Sequence, residues 1–165
     1  MKMIDPMLME LEQEAKTTRR LLERVPAAHL GWAPHPKSMT LGRLATHIVE
    51  IPGWVSTIVQ KDEFDVAASS RKPSDAGSAE ELVRMFDDNV EKVRKAMQTL
   101  NDDQLRSTWR LLKGGQVLVA MPRIGVLRAL MLNHLIHHRG QLSVYLRLKD
   151  VPLPSIYGPT ADEPM

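Results

Sequence analysis

No cysteine occurs in the 165-residue sequence, which excludes disulfide bonds, zinc ribbons and a thiol nucleophile supplied by the chain itself. Any sulfur chemistry must therefore use a sulfur atom that arrives with a ligand. The sequence also lacks a run of ~18 apolar residues, so it predicts no membrane-spanning helix. The first residues, MKMIDP, contain no apolar signal core, and we expect a cytoplasmic protein.

The sequence also has little net charge. Its 22 basic and 20 acidic side chains give a formal charge of only +2, although the pI is near 9.0. Non-specific nucleic-acid binding depends on several cations that lie on one face, and this balance makes no case for it. With 43% apolar and 25% charged residues in the length of one typical domain, we interpret residues 1–165 as a single soluble domain.

Apolar residues instead recur at intervals of three and four in four segments, which predicts four amphipathic helices. They begin near Asp5, after Ser38 or Thr40, at Ser78 and at Pro122. Pro52 should kink the second helix. The regular seam of the fourth helix consists of Leu127, Met131, His134, His138, Gln141, Tyr145 and Leu148.

These helices predict an all-α protein, a four-helix bundle. Residues 61–77 are interpreted as a loop, and seventeen extended residues can reach ~55 Å. Such a loop allows the second and third helices to run parallel, in an up-down-down-up bundle. One exception lies between helices 3 and 4, where residues 108–112 and 116–120 flank Lys113-Gly114-Gly115 and predict a short hairpin-like or irregular segment.

Three histidines occupy positions where the helical pattern requires apolar residues. His134 and His138 are four residues apart and project from one face of the fourth helix, and His47 lies on the inward stripe of the second. Burying three imidazoles costs several kcal/mol unless each finds a partner. A divalent metal at ~2.0–2.1 Å would satisfy all three. The alternative at each position is a hydrogen-bonded core histidine, and spacing alone leaves both interpretations open.

The residues around these histidines narrow the kind of metal. Residues 123–149 contain no Asp or Glu, which excludes a ferritin-like di-iron site, and Leu135 follows His134, so the zincin pattern is absent too. Neutral nitrogen ligands favour zinc, nickel, cobalt or iron over magnesium or calcium. Three protein ligands leave coordination positions open, as in catalytic metal sites.

Three further stretches resemble one protein family. Residues 32–48 (WAPHPKSMTLGRLATHI), 133–142 (NHLIHHRGQL) and 154–163 (PSIYGPTADE) are similar to the DinB (DinB/YfiT-like) family of metalloenzymes. The resemblance extends over about residues 5 to 163. It implies an up-down-down-up bundle, a divalent metal, nickel or zinc, on His47, His134 and His138, and a homodimer. Relatives include thiol-dependent transferases and isomerases that bring a low-molecular-weight thiol to the metal.

The resulting hypothesis is a metal-dependent enzyme with a mononuclear three-histidine site, acting on a small-molecule substrate as a thiol-dependent transferase or a small-molecule hydrolase. The alternative is a non-catalytic metal-centred binding or stress-response protein. Glu50 and Gln141 are candidate second-layer residues, although a solvated glutamate and an ordinary buried amide explain them as well. No side chain is convincing as a general base.

Two further features of the fourth helix remain. Gly140 costs ~1 kcal/mol relative to alanine in mid-helix, which indicates that a neighbouring backbone comes close, within the bundle or across a dimer. Five basic residues, Arg123, Arg128, Arg139, Arg147 and Lys149, have no acid on the same helix. They would either attract an anionic substrate or pair with acids of other helices, and we favour the second.

Overall fold

The structure is a computed structural model that describes residues 2–68 and 75–164. The helices are α1 (Asp5–Leu22), α2 (Leu41–Glu50), α3 (Val55–Gln60), α4 (Ala79–Gln98), α5 (Asp102–Arg106), α6 (Arg123–Leu127) and α7 (His134–Arg147). The strands are β1 (Glu63–Asp65), β2 (Thr108–Lys113) and β3 (Gln116–Pro122). None of the described helices is long and apolar enough to cross a membrane.

Side-chain caps fix where the helices begin. The Thr40 hydroxyl accepts a hydrogen bond from the backbone N–H of Arg43 and starts α2, and Ser78 does the same for α4 through Glu81. Pro52 divides the second predicted helix more sharply than a kink. Helix α2 ends at Glu50, a single 3₁₀ turn covers Pro52–Trp54, and α3 follows.

The fourth predicted helix is continuous but locally widened. A π-helical segment, Arg128–Asn133, joins α6 to α7. Such segments are rare and are found frequently at functional sites. This one ends directly before His134, the first residue of α7, so it sets the direction in which that imidazole leaves the helix.

Packing of the long helices brings α2 beside α7. Helix α1 contacts α4 and α7, and α2 contacts the same two helices from another side. The apolar stripes that the periodicity predicts are buried between them, as at Leu11, Leu44, Phe86 and Leu135. The contact between α2 and α7 is the one on which the histidine positions depend.

A mixed three-stranded sheet covers one side of α3 and α6. Strand β1 pairs with β2 in parallel, and β2 pairs with β3 as an antiparallel hairpin. Gly114 and Gly115 form its turn with φ values of 59° and 80°, a conformation that side chains other than glycine rarely adopt. The Asp65 carboxylate accepts hydrogen bonds from the N–H groups of Gly115, Ala67 and Gly114, which lower the pKa of its carboxyl group.

The sheet shows that the predicted all-α, up-down-down-up four-helix bundle was wrong. The hairpin does occupy the segment where a hairpin-like or irregular stretch was expected, but β1 lies inside residues 61–77, which had been interpreted as a loop. Three residues are too few to show strand alternation, and β1 exists because it pairs with β2, far away in the chain. Residues 69–74 of the predicted loop lie outside the described residues.

Arg123 connects the start of the sheet to the helices through hydrogen bonds and an ion pair. Its buried guanidinium donates hydrogen bonds to the backbone carbonyls of Ile58, Gln104 and Lys61 and forms an ion pair with Asp62. These partners lie at the end of α3, in α5 and directly before β1. One side chain therefore satisfies polar groups from three parts of the chain.

We expect the substitution Arg123→Met to lower the free energy of unfolding by about 3 kcal/mol, because the buried carbonyl of Ile58 and the half-buried carbonyls of Gln104 and Lys61 lose their donor. Urea unfolding measures this difference. Arg110→Met is the matched control on β2, since its ion pair with Glu63 is exposed, and it should change stability by no more than ~1 kcal/mol. Equal losses in the two variants would contradict an anchoring role for Arg123.

Candidate metal centre

Three imidazoles from two helices meet in the interior. Helix α2 contributes His47 and helix α7 contributes His134 and His138. The Nε2 atom of His134 lies 3.4 Å from that of His47 and 2.8 Å from that of His138. One nitrogen from each residue lies within 4.8 Å of the other two, and His138 is buried while the others are half-buried. The structure thus brings together the three residues that the sequence singled out.

These separations fit a single small cation. Bonds of ~2.0–2.1 Å at right or tetrahedral angles place two ligand atoms roughly 2.8–3.4 Å apart. The two Nε2 distances fall at the ends of this range. The group found among the described residues consists of histidines alone, which is the neutral donor set that zinc, nickel, cobalt and iron accept.

Hydrogen bonds on the far side of two rings orient them. His138 donates from Nδ1 to Oε1 of Gln141 at 2.7 Å, so its Nε2 keeps a lone pair that faces the other imidazoles. Gln141 in turn donates from Nε2 to His137. The His134 imidazole hydrogen-bonds to the backbone carbonyl of Leu130, within the π-helical segment. Such outer partners fix the ring orientation of metal-binding histidines.

All three rings are held in the neutral form that a metal requires. Burial is the largest cause, and it lowers the pKa of His47 to about 4, with smaller contributions from His138, His134 and Arg43. Burial also lowers the pKa of His134 and of His138. Neutral imidazole is the species that binds metal, so little proton release opposes binding near neutral pH.

Other predicted residues take different places. Glu50 forms an ion pair with Arg43, which also pairs with Asp75. Glu50 also lines a cavity next to the imidazoles. His137 is exposed on α7 and lies outside the group, as expected from its position on the helix. Gln141 is exposed at the surface of α7, although the seam had placed it inward.

Sequence reasoning missed the surroundings of the imidazoles on one side. The ring of Trp54 lies 5.6 Å from that of His47 and 5.3 Å from that of His134, measured between centroids. Trp54 also lines the cavity of about 710 Å³ that extends towards the sheet. Its spacing of seven from His47 had marked it only as a core residue. The sequence did not show that β1 pairs with β2 and that the two strands line the same cavity.

The basic residues of the fourth helix pair with acids of other elements. Ion pairs join Arg123 to Asp62, Arg128 to Glu10, Arg139 to Glu14, and Arg147 to Asp162. Lys149 stands 5.0 Å from the ring of Trp32. The pair of Arg139 and Glu14 is buried, and Tyr157 donates to the same carboxylate. These contacts confirm the structural interpretation of this charge over attraction of an anionic substrate.

Fold and site together define a class of protein. It is mostly helical, with a small mixed sheet and a partly buried group of three neutral imidazoles. A comparison with protein families matches the DinB family over residues 2–164. The chain therefore belongs to the DinB family, as its motifs indicated.

Relatives resemble this chain in sequence or structure over nearly its whole length. The uncharacterized protein YrdA of Bacillus subtilis (strain 168) is 28% identical over 160 residues, which cover 97% of this chain and 91% of YrdA. A DinB-like protein from Bacillus cereus ATCC 10987 has a similar structure, with a TM-score of 0.71, 24% identity and coverage of 93% of this chain and 97% of that one. The structure of the DinB-like protein YjoA of Bacillus subtilis matches with a TM-score of 0.72 and 20% identity. The match covers 92% of this chain and 98% of YjoA. The two structures establish a shared fold.

We expect His47→Ala, His134→Ala and His138→Ala each to weaken nickel binding more than ~100-fold, because each removes one of three ligands. Titration calorimetry and elemental analysis of the purified proteins measure the loss. His35→Ala is the matched control, since His35 is exposed in the loop before α2 and lies outside the group. Full metal content in all three variants would show that the imidazoles are hydrogen-bonded core residues.

The lowered pKa of His47 predicts how the metal-free protein responds to acid. Below pH 6.5 the unfolded chain gains a proton at this position, whereas the folded chain does not until about pH 4. The free energy of unfolding should therefore fall as the pH decreases through this interval. Urea unfolding of His47→Gln, which has no proton to gain there, should show a weaker dependence. The same pH dependence in both proteins would contradict the assignment.

Proposed function

We propose that this protein is a metal-dependent enzyme, a thiol-dependent transferase or a small-molecule hydrolase, in which nickel or zinc is held by His47, His134 and His138. The observation that supports it is the convergence of three neutral imidazoles, from α2 and α7, at separations suited to one ion. Family membership points to the same residues through the motifs that contain them.

The three imidazoles would hold the ion, and a set of three protein ligands would leave coordination positions for a substrate or cofactor. When bound, such an ion supplies Lewis acidity, which lowers the pKa of a thiol or of water and so provides a nucleophile near neutral pH. Because the chain has no cysteine, the thiol of a transferase reaction must come from a low-molecular-weight cofactor or substrate.

The surrounding residues orient these rings and lie beside them. Gln141 fixes the tautomer of His138, and the carbonyl of Leu130 holds His134. The indole of Trp54 lies beside His47 and His134 on the side of the cavity. The binding energy of an organic substrate would come from this side, since its walls are largely apolar.

A homodimer in the cytoplasm is part of the proposal, and α7 offers a surface for it. Val144 and Leu148 expose 58% and 57% of their surface, and they continue the face on which Gly140 lies. A Cβ atom at Gly140 would meet nothing within 4 Å in the described chain. Among the described residues the close approach that this glycine suggested has no counterpart, and in the proposed dimer a second copy would supply it.

Turnover separates an enzyme from a metal-centred binding or stress-response protein. Nickel- and zinc-loaded protein would be incubated with a small aliphatic thiol and 1-chloro-2,4-dinitrobenzene, and separately with p-nitrophenyl acetate. In the first reaction the thiol sulfur displaces chloride and a proton is released, and in the second water cleaves the ester. We expect one of the two rates to exceed that of His134→Ala at least ~100-fold, with the exposed-loop variant His35→Ala unchanged.

Equal rates for the loaded protein and His134→Ala in both assays would contradict catalysis on these substrate classes. If calorimetry then still shows one metal ion and a bound thiol, the binding protein is the correct interpretation. If no metal binds, the proposal fails at its first step.

A further inference from the structure

The cavity beside the imidazoles contains much of the aromatic surface of a chain that is poor in aromatics. Only three tryptophans and two phenylalanines occur in the sequence. Trp54, Phe64 and Trp109 all line this cavity of about 710 Å³, together with Ile58, Leu111 and Leu130. The volume lies within the range of ~300–1,000 Å³ that is usual for small-molecule sites.

The cavity and the imidazoles share a wall. Trp54 lines the cavity and contacts both His47 and His134 with its ring. Leu130 lines the same space, and its carbonyl group holds the His134 imidazole. Glu50, one helical turn after His47, completes this side. A ligand in the cavity therefore lies against the residues that support two of the three histidines.

The charges of this region favour an uncharged ligand. Glu50 is the one ionisable side chain among the described residues that line the cavity, and it already pairs with Arg43. No lining cation in the described ranges would compensate an anionic group, and burying one without a partner is unfavourable.

We propose that the cavity binds the uncharged aromatic group of a small-molecule substrate and holds its reactive end beside Trp54 and the three imidazoles. This inference rests on the proposed function for the reactive end, whereas the cavity itself can be tested without turnover. Residues of α3, β1 and β2 would then select the substrate, and residues of α2 and α7 would hold the metal.

A neutral fluorescent probe tests the occupant. N-phenyl-1-naphthylamine brightens in apolar cavities, and we expect it to bind the purified protein with or without metal. Thr57→Phe fills the cavity from α3 and should weaken this binding at least tenfold. Gln60→Phe adds the same side chain to the same helix at an exposed position outside the cavity, and it should bind the probe within about twofold of the original protein. Equal binding by both variants would overturn the proposal.

Two displacers of similar size test the charge. 1-Naphthylmethanol should displace the probe, and 1-naphthoate, which carries a carboxylate, should do so at least tenfold less well. Equal or better displacement by the carboxylate would refute the assignment to uncharged substrates.

The position next to the imidazoles is tested with two metals. Nickel quenches fluorophores that lie close to it and zinc does not, so the bound probe should be dimmer in nickel-loaded protein. Equal brightness at equal occupancy would place the probe elsewhere and contradict the inference.

Elemental analysis of the same samples distinguishes failure of the proposed metal site from failure of the proposed cavity site. Thr57→Phe should retain its metal, whereas loss of metal from the unmodified protein would contradict the proposed function and leave the probe result standing.

Discussion

The partial burial of three converging imidazoles is the constraint on which the site depends. Each ring is neutral because burial lowers its pKa, and each neutral ring still needs a partner for its lone pair. Gln141 and the Leu130 carbonyl take up the N–H side of two rings, which turns the remaining nitrogens towards one another. A cation between them would satisfy these lone pairs, and the packing of α2 against α7 is what brings the three nitrogens together.

The site could be predicted as far as helical geometry reaches. His134 and His138 are one turn apart on one helix, so local periodicity places them together. His47 required the further inference that α2 packs on α7, and the apolar stripes of both helices supplied it. Gln141 was predicted as an inward seam residue, yet it is exposed and reaches His138 from the helix surface. Such a contact depends on side-chain direction, which spacing alone does not determine.

The sheet could be predicted only in part, because its two halves form for different reasons. The paired glycines at 114 and 115 form a local turn, and the hairpin beside them follows from residues that are neighbours in sequence. Strand β1 has three residues and no alternation of its own, and its position depends on the distant β2 and on the carboxylate of Asp65, which caps the hairpin turn. Periodicity carries no information about such pairing, which is why the all-α prediction failed there.

Strand β1 and the packing of the sheet beside α3, which the sequence did not reveal, distinguish a binding site from two helices that only bring three imidazoles together. Two helices suffice to hold three imidazoles, but Phe64 of β1 and Trp109 and Leu111 of β2 close the space beside them. Arg123 donates hydrogen bonds to the carbonyls of Ile58 and Lys61, so it links the end of α3, the helix that carries Thr57, to the start of β1. Residues in the sheet can therefore change the shape of the cavity while the histidines keep their positions. In the proposed function the helices hold the metal, and the sheet determines which molecules reach it.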